Sequence, residues 1–458
     1  MKSPVGSRKR ALAIAVGSLT ATLAVAACSN VPSNSGSSAS SGGSVSKSVA
    51  PEPTVSALTV GCSSLPQKTA KIGVLVPLGG SFASDTQQVV NAATLATDKL
   101  NAAGGVCGKN ARYKFEIVQG NTNNEESSAV ISAAQLLNTT PDLNFVMTSY
   151  ASTSNFEIKL MAKNQMPYLM SANSAQTAAI ISKDPSKYPT IWSRVPSYDA
   201  YSTKLPVVLN DIEKTGKAKF THGKTAYIIA SSDPYGGTIA QGLRDSFAKN
   251  GWKVIAYDNV PYGAVNNWQT TLTHIKQQVP DVIVNTDSTA ADQAAFTNQF
   301  ASSPTSSLLF LQYAPSIPQY LQLTGQNGNG VIYNMLGGEI PTLSSAKQIA
   351  SEYTAKYGVP GYFAVVAYNQ AMLYAHCLHQ VGDPTDRLGI GRCFGNLNIQ
   401  TPAGPLRFDQ KTHLAIEGDK QMPILFYQIQ NGKKLVITPN QYAAANFQLP
   451  PWIHNGVS

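Results

Sequence analysis

A short apolar run that stops abruptly in a polar or glycine-rich loop recurs along this chain, and its first instance is KIGVLVPLGG at Lys71–Gly80. Ile72, Val74, Leu75 and Val76 lack the alternation of a half-exposed strand, so they read as a strand covered on both faces, as in a parallel sheet. Pro77 cannot continue a central strand, and Gly79 and Gly80 allow a tight turn. Val89, Ala93, Ala96 and Leu100 then recur at helical spacing, with Ser84 and Gln87 placed for a capping box and Gly104-Gly105 as the stop. This is a βα unit, and the carboxyl end of its strand is where α/β sheets bind ligands.

The same unit repeats in two sets. In the first, strands are expected at 112–118, 145–147 and 167–170, with helices at 124–137 and 155–163. The second opens at KTAYIIA, Lys224–Ala230, followed by strands at 254–257, 281–284, 307–311 and 331–335. Helices are expected to run to Lys249, then over 268–278, 344–356 and 362–379. A chain of 458 residues exceeds one ordinary core, so two α/β lobes explain the pattern better than one large sheet. In both sets the strands end in Ser, Thr, Asn, Asp and Tyr. Such loops cap helices anyway, but several at one sheet end can line a cleft for a small polar molecule.

The beginning of the chain does not fit this pattern. Lys2, Arg8, Lys9 and Arg10 precede an apolar, small-residue stretch from Ala11 to Ala27, which reads as an export signal. Val25-Ala26-Ala27-Cys28 resembles a bacterial lipobox, making Cys28 the expected lipidation site. Residues 28–60, rich in Ser and Gly, read as a disordered tether of ~30 residues with a reach of about 30 Å. The net charge of +9 falls to +5 once the four basic residues before Cys28 are removed, and no basic cluster with interleaved aromatics argues for nucleic acid. Of the remaining cysteines, Cys62 and Cys107 flank the first βα unit, while Cys377 and Cys393 are close in sequence. Outside the cytoplasm the expected disulfides are Cys62–Cys107 and Cys377–Cys393.

These pieces, in their order, resemble the type I periplasmic binding proteins, and within them the branched-chain amino-acid (Leu/Ile/Val) group of ABC importer substrate-binding lipoproteins. The matching stretches are KIGVLVPLGG, LNAAGGVCGK at Leu100–Lys109, YASTS at Tyr150–Ser154, MPYLMSANS at Met166–Ser174, RVPSYD at Arg194–Asp199, DPYGG at Asp233–Gly237 and AGPLRFD at Ala403–Asp409. The resemblance implies two Rossmann-like α/β lobes joined by three crossovers and closing on a ligand. It divides the chain into first-lobe segments at 61–195 and 339–404, second-lobe segments at 196–338 and 405–445, and a tail at 446–458. It also implies roles for single residues. Ser152 and Thr153 would bind a carboxylate, Ala172 and Ser174 an amino-acid head group, Tyr235 would close over the ligand, and Ser288 would add a second-lobe contact. Amino-acid binders place an acid after the strand that here ends in Gln312-Tyr313, and Tyr313 has none beside it. Asp85 or Asp287 can supply that charge from elsewhere; equally, each can cap a helix.

No G-x-S-x-G, G-x-x-x-x-G-K-[ST], H-E-x-x-H or early G-x-G-x-x-G occurs. His376 and His379 lie one turn apart around Cys377, a spacing that fits a helix as well as a metal. The expectation is therefore a monomeric, lipid-anchored, extracytoplasmic binder without enzymatic activity, cofactor or metal. It would deliver an amino acid or related small carboxylate to an importer permease. A tethered sensor is the alternative, and a two-lobed hydrolase or transferase a more distant one.

Overall fold

The computed structural model describes residues 48–79, 83–123, 126–149, 155–263 and 265–453. The export signal, Cys28 and the tether up to residue 47 lie outside them. The first sheet contains β1 (Gln67–Val76), β2 (Val106–Cys107), β3 (Arg112–Asn121), β4 (Leu143–Thr148), β5 (Tyr168–Met170) and β6 (Ile191–Ser193). Their order is β2-β3-β1-β4-β5-β6, parallel except for β2. The second sheet is built on β7 (Thr225–Ser231), β8 (Lys253–Val260), β9 (Val282–Asn285), β10 (Leu308–Leu311) and β11 (Ile332–Leu336). A small hairpin, β12 (Asn398–Thr401) and β13 (Gly404–Arg407), precedes two antiparallel strands, β14 (Ile424–Gln430) and β15 (Lys433–Thr438), that complete the second sheet in the order β15-β14-β11-β10-β9-β7-β8.

The apolar run of β1 is covered on both faces, as its sequence implied. Ile72, Val74 and Val76 pack with the Ala83–Ala102 and Tyr362–Val381 helices, whereas Leu75 packs with Ala134, Leu137, Ile158 and Met161 on the other side. In each sheet the chain steps first to one side and then to the other. The order reverses between β1 and β4 in the first sheet, and between β7 and β9 in the second. Ligands of open α/β sheets bind outside the strand ends at such reversals.

Three crossovers join the lobes, after β6, after β11 and after β13. They meet at Gly337. Its φ is +60°, and a Cβ there would lie 2.8 Å from Val195 Cγ1 of the first crossover and 3.2 Å from Met422 Sδ of the third. Only glycine satisfies both the left-handed backbone and that close approach.

Residues 48–60, expected to belong to the tether, are instead ordered against the first lobe. The Ala50 N–H donates to Asn398 O, and Gln400 N–H to Ala50 O, both at 2.8 Å. A short helix, Val55–Thr59, is capped by the Thr54 hydroxyl and buries Leu58. The segment is then fixed by the Cys62–Cys107 disulfide; Cys377–Cys393 is the second bridge. The His379 Nδ1 sits 3.0 Å from Cys107 O, so the His-Cys-His stretch is structural in this fold.

Candidate functional site

The strand ends converge on a cleft between the lobes. From the first lobe, the Ala83–Ala102 helix carries Asp85 in its first turn. Its carboxylate is buried. Oδ2 accepts the Tyr313 hydroxyl of the second lobe at 2.6 Å, and Oδ1 faces Gln88 Nε2 at 3.4 Å. Asp85 is thus half of an interlobe bridge.

Tyr313 reaches across because of an unusual backbone. Its φ and ψ are 64° and −55°, and Ala314 N–H donates to Gln312 O at 2.7 Å, closing a γ-turn. That turn is strained for a residue with a side chain. The Tyr313 ring contacts Tyr235 at 6.4 Å, Tyr362 at 6.4 Å and Phe363 at 6.1 Å. Tyr235 continues the row to Tyr198 at 5.1 Å, beside the first crossover. Its hydroxyl accepts from Gln312 Nε2 at 3.1 Å, and burial pushes its pKa well above the phenolic range. Tyr362 donates to Leu336 O at 2.8 Å, and Leu336 N–H donates to the Tyr201 hydroxyl at 3.0 Å, pinning the end of β11 beside the hinge.

The other expected residues fall at these strand ends with different duties. Ser174 caps the Ala175–Ser182 helix in a capping box with Thr177 and also accepts from Asn155 Nδ2 at 3.2 Å. Ala172, half-buried, follows β5 in the same loop. Ser288 donates to the Tyr262 hydroxyl at 3.4 Å. Asp287 uses Oδ1 to accept Thr289 N–H at 2.7 Å and Thr289 Oγ1 at 2.8 Å. Its Oδ2 is buried without a partner. Burial, then the carboxylates of Asp292 and Asp233, push this carboxyl up to about 7 against the pull of the Thr289 bonds. Ser152 and Thr153 lie outside the described residues.

Two participants gave no sequence signal of their own. Asn173 donates to Ser193 Oγ at 2.7 Å, Val195 O at 3.0 Å and Pro196 O at 3.2 Å, stapling the β5 loop to the first crossover. Arg194 is fully buried, with Nε and Nη1 unpartnered, and burial lowers its pKa to about 10 while Tyr362 and Glu52 oppose that shift. Both sit in stretches that the family resemblance singled out, but only the fold shows what they touch. Buried polar atoms without partners also include Ser149 Oγ and Ser171 Oγ after β4 and β5, and Ser231 Oγ, Asp233 Oδ1 and Gln312 Oε1 after β7 and β10. They sit at strand ends in both sheets. Among the described residues no group of three His, Cys, Asp or Glu is placed to hold a metal ion.

A branched-chain amino acid ABC transporter protein from Silicibacter pomeroyi has a similar structure, with 26% identity, 84% of this chain and 100% of that chain covered, and a TM-score of 0.75. The fold is shared with an R. palustris solute-binding protein in complex with benzoate, at 16% identity, 81% and 96% coverage and a TM-score of 0.64. It is shared as well with LivJ from Streptococcus pneumoniae in complex with isoleucine, at 19% identity, 81% and 100% coverage and a TM-score of 0.65. A search of curated protein sequences gives no match. The profile of one family, described as periplasmic binding protein, matches residues 69–434, which is nearly all of the folded chain, and to that family this chain belongs.

Proposed function

We propose that this chain is an extracytoplasmic solute-binding protein that captures a small polar molecule between its lobes and passes it to an ABC-type importer. The observation that carries this reading is the placement of unpartnered buried polar atoms at the strand ends of both sheets. An unpaired polar group costs about 1–3 kcal/mol, so a fold that gathers several in one cleft is built for an occupant. The interlobe bridge between Tyr313 and Asp85, together with three crossover segments that meet at Gly337, supports capture by closure. We read the protein as a binder without catalysis. Ser152 and Thr153, on the loop after β4, are assigned to the ligand from the first lobe, with Ala172, Tyr235, Ser288 and Tyr313 completing the lining.

The chain is further proposed to be monomeric and held to a membrane by lipid on Cys28. Among the described residues no helix is long and apolar enough to cross a membrane. Mass spectrometry of detergent-extracted protein tests the lipid, with an unmodified Cys28 excluding it. Calorimetry against amino acids and small carboxylates tests capture. The expected result is saturable binding with the ligand recovered intact, accompanied by compaction in solution scattering. Chemical conversion of the ligand, or an unchanged envelope at saturation, refutes the reading.

A further inference from the structure

Asp287 follows β9, the strand beside the order reversal of the second sheet, and β7 and β10 flank it. Its side chain is fully buried. Thr289 occupies one carboxylate oxygen, and the other has no partner. Around it the unpartnered atoms are the acceptors Asp233 Oδ1, Gln293 Oε1 and Gln312 Oε1, with Asn285 Nδ2 as a donor and the Ser231 hydroxyl able to serve as either. The charged groups acting on Asp287 are Asp292 and Asp233, both acidic. The Tyr262 hydroxyl, bonded to Ser288, lies in the field of Asp233, Asp287 and Asp85 together, so carboxylates of both lobes converge there. Asp85 is already engaged by Tyr313 and Gln88 and lies in the field of Lys434. No cation is among the groups that act most strongly on Asp287.

We propose that the second carboxylate oxygen of Asp287 receives a protonated amine of the captured solute. This rests on the solute-binding reading and narrows it to small molecules that carry an ammonium group. The charge that amino-acid binders of this kind place after the strand ending at Tyr313 is here moved one strand over, to the end of β9. Beside that strand end stands the Tyr313–Asp85 bridge. A purely anionic ligand would meet the carboxylates of Asp287 and Asp233 on this wall, with the Asn285 amide and the Ser231 hydroxyl as the unpartnered donors to set against them.

The test uses matched probes that differ in the amine alone: L-leucine with 4-methylpentanoate, γ-aminobutyrate with butyrate, and putrescine with 1,4-butanediol, titrated into the full chain and into Asp287→Asn. Asparagine retains an oxygen for the Thr289 cap and removes the charge. The expected result is that an amine binds, its nitrogen-free counterpart does not, and Asp287→Asn weakens the amine by roughly 100-fold or more while raising the melting temperature of the ligand-free protein. A role as a helix cap alone predicts unchanged stability and unchanged binding in Asp287→Asn, and that outcome overturns the proposal. Equal binding of a nitrogen-free counterpart overturns it too, while leaving solute capture standing. No binding to any probe, with no small molecule released on denaturing the purified protein, overturns the parent reading and this one with it.

Discussion

At Tyr313 the backbone is strained and the side chain is what the strain serves. The γ-turn throws the ring into the interlobe aromatic row and delivers its hydroxyl to Asp85. Tyr313→Phe keeps the ring contacts and removes the bridge. A hydrogen bond to a charged group contributes about 1.5–3 kcal/mol, so ligand affinity is expected to fall roughly tenfold or more, with the scattering envelope of the ligand-free protein expanding. Unchanged affinity would mean the bridge does not favour the closed form. Asp287 yields a pH dependence. Its carboxyl, raised by burial and by the carboxylates of Asp292 and Asp233 against the opposing pull of the Thr289 bonds, takes up a proton more readily in the folded protein than in the unfolded chain. Its contribution to the stability of the ligand-free protein is therefore greatest below the ordinary carboxylate range, falls as pH rises through it, and levels off above about 7. Denaturation midpoints across that window should show a steeper fall for wild type than for Asp287→Asn. The missing acid beside Tyr313 was legible in the sequence, and so were Asp85 and Asp287 as alternatives. Which of them stays unsatisfied was not, because a positive φ at a tyrosine leaves no mark in the residue pattern.

Strands were the most readable elements. Runs such as KTAYIIA and KIGVLV cannot be half-exposed, and both became central parallel strands with the expected polar ends. The Val55–Thr59 helix was not readable, since five residues cannot sustain a helix without packing, and its Ser- and Pro-containing surroundings mimic a tether. The cysteine pairing followed from their positions around the first βα unit and near the end of the first lobe. The bridges close spans of 45 and 16 residues. Chain entropy assigns each roughly 3–4 kcal/mol. Reduction should lower the melting temperature markedly, and an unaltered transition would show that neither bridge constrains the unfolded chain. Asn173 is a second test at this scale. Asn173→Ala deprives the first crossover of its donors, with an expected loss of about 2–3 kcal/mol in chemical denaturation.

The whole molecule turns on the place where the crossovers touch. Gly337→Ala adds a methyl group against Val195 at a backbone angle that resists it, and is expected to cost roughly 1–3 kcal/mol. Scattering should then report incomplete compaction with ligand; full compaction would place the pivot elsewhere. Two lobes were legible from chain length and from the repeated strand-loop pattern. Their contact was not, because it depends on three segments far apart in sequence meeting at one glycine. The strap formed by residues 48–66 adds a mechanical asymmetry. It is sewn to β12, to the Ala83–Ala102 and Tyr362–Val381 helices and to Cys107, all in the first lobe. With the proposed lipid on Cys28, tension from the membrane enters the first lobe alone. That lobe is the door frame and the second lobe the door, able to swing through its full arc without dragging on the anchor.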